Sequence, residues 1–484
     1  MARSSAQIEH LLRRAGFGMS AEDFRIYDDM SVSTAVDRLI NYESLPDDVD
    51  ANIGNSAFAL VTGVGGFFPN SNIEHARQRW LFRMVHSQRP LQEKMTLFWH
   101  NHFATAYSKL AGTVGGTIGA KMMANKEGAS PGPRGQIETI REMALGRFRD
   151  LLVEMAKDPA MLVWLDGRLN TRVRPQENFG REIMELFTFG LGNYTEQDVY
   201  AAARVFTGWN LRFIRGVDEA NSYYEFLYIP NQHETSAKTF TFPIYQNGDN
   251  VIPARSAAQG MQDGLDFIAA LARHPETARR LARKLWNFFV SEVLPPDPDF
   301  VSSAANIYLM NDTEMRPVVQ YVLRSRWLQN LGNSYSRYSW PVEYVVRSIK
   351  EVGWSGYSVD AARIALISMG QVLFEPPDVN GWELGEGWFT TGAALARMNF
   401  ASSIAFNQRF NLGRSAAEGR TSPETLLSLF LDRFSPAPYE SEPYNGLLDY
   451  LRAGGSWTGS DSQLTMKAAG LARLIVGSSE YQLM

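Results

Sequence analysis

A chain of 484 residues with 45% apolar and 20% charged residues can bury a large core, which excludes global disorder. A net charge of −5, with both signs interspersed and no extended basic run, gives no support to nucleic-acid binding through counterion release. No cysteine occurs, which removes disulfides, thiolate nucleophiles, zinc fingers and cysteine-bound iron–sulfur clusters.

The opening stretch, MARSSAQIEHLLRRAGFGMSAEDF, has no apolar segment of signal-peptide length, and no apolar run later in the chain is long enough to span a membrane. As written, the chain is expected in the cytoplasm, or exported (periplasmic or secreted) if a leader is missing from this numbering. Residues 4–45 read as two short amphipathic helices broken at AGFG, with Ser20 as an N-cap. Residues 50–72 are rich in Gly and Asn and read as a loop, and Ile73–His86 as a long helix.

Pro90 opens the next helix, PLQEKMTLFWHNHFAT. Leu91, Met95, Phe98, Trp99 and His102 share its apolar face, and His100 projects away from them. Histidines two apart on one helix cannot chelate one ion, so a shared metal requires the helix to end near His100. His102 otherwise reads as a hydrogen-bonded core histidine. Residues 108–136 are poor in large apolar groups and read as a lid or a tolerated insertion. After helices over 137–149 and 150–157, DPAMLVWLDGRLN turns polar at Asp166 and Asn170. A carboxylate directly after a buried run suits the rim of a site, although Asp-Gly is also turn chemistry.

From Arg174 to Trp209, two helical patterns flank a Gly/Asn turn, with Thr195 and Asp198 forming a capping box. Asn178, Arg181, Glu182 and Glu185 share one stripe. That stripe reads either as a solvated face with an Arg181–Glu185 ion pair, or as a cleft wall whose two carboxylates divide acid and base roles. Residues 211–252 carry aromatic and β-branched runs with an Asn-Gly turn, a small antiparallel β insertion. From 254 onwards the chain is helical again. The loop MGQVLFEPPDVNGWELGEGW presents Trp382 and Trp388, either to stack on a flat ligand or to plug the loop onto the core, ahead of a helix bearing Arg397. The fold class is therefore mainly α, a large multi-helical domain over residues 1–407 with a small antiparallel β insertion. Residues 408–484 form a polar linker and a C-terminal helical segment packed on it.

The strings HLLRRAGFG (10–18), LFWHNHFAT (97–105), DPAMLVWLD (158–166), ENFGREIMELFTFGLGNYTEQDV (177–199), ARVFTGW (203–209), HPETARRLARKLWNFFV (274–290) and PPDVNGWELGEGW (376–388) resemble the bacterial family known as domain of unknown function 1800. The resemblance covers nearly the whole chain. It implies a mostly helical protein, often exported, with a sulfatase-like protein as a possible partner. Its polar signature falls on His100, Asn101, His102, Asp166, Asn178, Arg181, Glu182, Glu185, Glu196, Asp198, Arg204, Trp209, Asn380, Gly381, Trp382, Trp388 and Arg397.

No Walker sequence, HExxH, GxSxG or strand-borne GxGxxG occurs. The expectation is a carbohydrate-active enzyme that cleaves glycosidic bonds with carboxylates, Glu182 as acid and Asp166 or Glu185 as base or nucleophile, His100 assisting. His102, Asn178, Arg181, Arg204, Trp209, Trp382, Trp388 and Arg397 are expected to bind a small-molecule or glycan substrate. The alternatives are a metal-dependent oxidase or hydrolase using His, Asp and Glu, and a non-enzymatic helical scaffold for a partner protein. No cofactor is assigned.

Overall fold

The computed structural model describes residues 6–484. Helices take up 60% of the chain and strands 5%, a mainly α fold. Helix Pro341–Val352 lies at its centre, with every residue buried. Pro341 occupies the first turn, where its missing N–H is harmless. Glu343 caps that turn by accepting from the Trp340 amide at 2.9 Å. Helices Ile73–His86, Val359–Ser368, Thr391–Asn407 and Pro423–Phe434 surround it. Pro90–His102 packs beside Ile73–His86, flanked by Ala6–Gly16, Val32–Ile40 and Gln136–Glu142.

The N-terminal motif is packing. Arg14 donates to the Phe289 and Asn333 carbonyls at 3.2 and 2.8 Å, and Lys350 donates to the Gly16 carbonyl at 3.0 Å. Gly18 has φ +82°, and a Cβ there would lie 2.8 Å from Arg347, so the AGFG break seats the chain against the central helix.

The stretch 108–136, expected as a lid or a tolerated insertion, is largely helical in its first part, as Tyr107–Val114 and Gly116–Ala124. Small residues serve close approach here: a Cβ on Gly119 would sit 3.1 Å from the Ala111 nitrogen. The β insertion resolves into two separate antiparallel pairs, Trp209–Ile214 with Tyr223–Tyr228 and Lys238–Thr239 with Val251–Ile252. The register Trp209↔Tyr228 starts the insertion two residues earlier than expected. The expected linker after 408 is helical over Arg409–Ser415. Beyond it, residues 481–484 return to the core, where the Met484 amide donates to the Arg337 carbonyl at 2.8 Å and the Ser339 amide to Gln482 at 2.8 Å.

Candidate active site

Helix Pro90–His102 ends in three consecutive polar residues, and each holds a different segment. His100 accepts from the Phe374 amide at 3.2 Å through Nε2, boxed in by the rings of Trp80, Phe374 and Trp382. Burial alone pushes its imidazole down to about 3, so it is a neutral acceptor. Asn101 Oδ1 accepts from the Trp382 amide at 2.6 Å. Gly381, at φ +86°, lets the turn close: a Cβ there would stand 2.3 Å from that oxygen. His102 lies between the Phe187 carbonyl, 3.0 Å from Nε2, and the Lys284 nitrogen, 3.0 Å from Nδ1. The helix continues through His102, so the two histidines diverge and share no ion. Among the described residues, no three His, Asp or Glu side chains gather as a metal-ligand set.

The His102 contacts assign its tautomer. Only a protonated Nε2 can donate to the Phe187 carbonyl, which leaves Nδ1 a lone pair facing Lys284. Burial first, then the charges of Lys284 and Arg280, hold His102 well below the ordinary imidazole range. Burial and the Arg280 charge push the Lys284 amine down to about 7. No carboxylate stands within ion-pair distance of Lys284 among the described residues. Both partners of His102 are set by irregular helix ends: Phe187 closes the π-turn Ile183–Phe187, and Lys284 stands two residues before the π-turn Trp286–Val290. Such turns displace a residue from the regular ladder and recur at functional sites.

Lys284 and His102 open on a cleft of about 190 Å³. Asn101, Asn287, Asn380 and Glu383 supply its polar wall, and Phe98, Phe288, Trp340, Trp382 and Leu384 the apolar one. That mixture suits a small hydroxyl- or carbonyl-bearing molecule. A larger hollow of about 420 Å³ between residues 19–24, 350–355 and 408–433 is mainly apolar. Its cations are committed, Lys350 to the Gly16 carbonyl and Asp23, Arg433 to the carbonyls of Glu351 and Val352.

Of the expected residues, His102 and Trp382 line the cleft; the others stand elsewhere. Glu182 is half-buried, and burial, with Glu185 adding, pushes its carboxyl up against the pull of Arg181. Glu185 accepts a hydrogen bond from the Tyr194 hydroxyl. It also acts on Arg280, whose own charge acts on Lys284, so this stripe adjoins the cleft without lining it. Arg181 forms no pair with Glu185. It grips Glu196 through two contacts of 2.8 Å, because that carboxylate opens the facing helix. Asn178 is exposed.

Asp166 sits in the left-handed region at φ +59° and pairs with Lys109 at 3.2 Å, a turn device on the surface. Arg204 is tied to Glu234 at 2.7 Å and anchors the β insertion. Trp209 is 1% exposed and packs against Phe206 and Phe226, a core residue because it begins a strand beneath helix Met261–Arg273. Trp388 is buried against Trp340, and Arg397 donates to Gln482 and the Ser339 carbonyl, fastening residues 481–484. The tryptophan loop thus plugs onto the core. Lys284 was missed at the sequence level; its local signal was a lysine inside the family string RKLWNFF, ahead of an aromatic run.

The family model described as Protein of unknown function (DUF1800) matches residues 10–483. No curated protein and no solved structure matches the chain.

Proposed function

The chain belongs to the DUF1800 family, and from its cleft we propose an enzyme that performs lyase-type cleavage of a carbohydrate or similar hydroxyl-rich substrate, with the neutral amine of Lys284 as its reacting group. One observation carries the reading: Lys284 Nζ lies 3.0 Å from the lone pair of His102 Nδ1 at the wall of a cleft. A lysine that is half neutral near pH 7 accepts or shuttles a proton, or attacks an electrophile, where an ordinary lysine cannot. Asn101, Asn287 and Asn380 offer amides to hydroxyl groups, and Trp382 an apolar edge.

Glycosidic hydrolysis by Glu182 with Glu185 or Asp166 has weaker support. Hydrolysis needs carboxyl groups flanking the bond, whereas Glu182 and Glu185 stand one turn apart on one helical stretch and approach any bond from the same side. Asp166 is paired to Lys109.

Wild type, Lys284→Met and Glu182→Gln, assayed on a panel of polysaccharides and free sugars, test the reading. Lys284→Met is expected to lose at least about 100-fold in turnover, while Glu182→Gln retains most of it. The reverse pattern would hand the chemistry to the carboxylates.

A further inference from the structure

Five lysines among the described residues are withdrawn from water; three are locked by carboxylates, and Lys121 donates to the Ala220 carbonyl at 2.6 Å. Lys94 pairs with Glu343, Lys238 with Asp263, and Lys350 with Asp23. Lys284 differs in that its polar contact is a lone pair, the charge acting on it is that of the cation Arg280 one turn earlier, and its amine faces a cleft rather than a packed core. Burial beside a second cation is how proteins keep a lysine uncharged for attack on carbonyl carbon. Lys94 supplies the contrast: burial pushes it down to about 8, yet Glu343 holds its proton and Phe17 and Phe288 cover it.

We infer that Lys284 forms an imine with an aldehyde or ketone group of the substrate, and that His102 Nδ1 carries the protons of that step. The inference rests on the reading of Lys284 as the reacting group and narrows its substrate class to carbonyl compounds, open-chain sugars included. The neutral amine adds its nitrogen lone pair to the carbonyl carbon as the carbon–oxygen π pair moves onto oxygen. His102 Nδ1 takes one N–H proton of the adduct and returns it to that oxygen, giving the carbinolamine. It then takes the second N–H proton and delivers it to the departing hydroxyl as the carbon–oxygen bond breaks, so amine and carbonyl leave as imine and one water. His102 is suited to this exchange because its other nitrogen is held by the Phe187 carbonyl and its tautomer cannot drift.

Reductive trapping tests the inference. The full chain is incubated at pH 7 with glycolaldehyde, or separately with pyruvate, in the presence of cyanoborohydride, and then mapped by peptide mass. One adduct is expected, heavier by the mass of the probe less one oxygen, located on Lys284 and formed at least about tenfold faster than on exposed lysines such as Lys126, because an ordinary lysine is almost wholly protonated at that pH. His102→Gln is expected to slow trapping several-fold. Peptide mapping reads the site in the wild-type protein, so the result does not depend on a variant folding; circular dichroism checks the variants. Trapping confined to exposed lysines overturns the imine. If Lys284→Met still loses turnover in that case, Lys284 stands as a base. If it does not, both readings fall.

Discussion

Arg280 precedes Lys284 by one helical turn, and its charge is the second cause, after burial, of the low proton affinity of that amine. Its Nη2 leans on the Leu186 carbonyl at 3.4 Å, and a Cβ on Gly190 would stand 3.0 Å from Nη1. The guanidinium is therefore packed into place rather than free to swing away. Arg280 is a positioning residue for charge. Removing it by Arg280→Gln raises the Lys284 pKa, which shrinks the neutral fraction at pH 7. The acid limb of the rate profile is expected to move to higher pH, with turnover at neutral pH falling by about a few-fold and recovering in alkali. A uniform loss at all pH values would mean that Arg280 serves only the fold.

Among elements, the helices Glu177–Glu182 and Glu196–Val205 cross where Gly180 meets Ala202 and Ala203. A Cβ on Gly180 would lie 3.0 Å from the Ala203 nitrogen and 3.1 Å from the Ala202 Cβ, so the crossing is set by the absence of a side chain. Gly180→Ala is expected to destabilise by roughly 1–3 kcal/mol through overpacking, read as a lower midpoint in denaturant, despite alanine's better helix propensity. The same elements show what local pattern can reveal. Ile73–His86, Pro90–His102 and the Thr195–Asp198 capping box follow from spacing, Pro at a first turn and cap chemistry, all rules spanning a few residues. The tryptophans at 382 and 388 do not, since their burial depends on Asn101 and Trp340 arriving from distant segments. Lys284 was hidden for the same reason. On its own helix it reads as one cation among Arg279, Arg280 and Arg283, and its burial and its contact with a histidine 182 residues away appear only in the folded chain. The density of amides and charges in the family strings is explained largely by segments hydrogen-bonding one another, as Asn101, Arg181, Arg204 and Arg397 do.

The molecule as a whole keeps several histidines neutral. Burial pushes His86 and His100 down to about 3, and holds His10 and His102 well below the usual range. Each folded-state pKa is below its unfolded value, so the unfolded chain binds more protons as the solution is acidified. This stability is complete above about pH 6.5 and is lost as pH falls from there towards 3. Asp158, pushed up to about 7 by burial, works in the opposite sense: its contribution is present at low pH and lost as pH rises through 7. Glu182, Glu292 and Glu351 are raised in the same sense as Asp158, while His75 and His274 join the lowered histidines, and the histidines prevail over this range. The midpoint in denaturant is expected to fall steadily between about pH 6.5 and 4, and a flat profile over that range would show the histidines to be solvated.

Residues 481–484 and the N-terminal motif meet around helix Pro341–Val352: Arg347 donates to the Leu483 carbonyl at 3.1 Å while Lys350 donates to the Gly16 carbonyl at 3.0 Å. Trp340, which walls the cleft, is flanked by Ser339, whose amide donates to Gln482. Contacts between segments 136 and 334 residues apart must therefore close before that wall is seated. Such closures are slow, because loop entropy is spent before the contacts form. In time, then, the site is a late product of folding: local helices arise early, and the amine of Lys284 meets ordinary water until the two distant segments have docked.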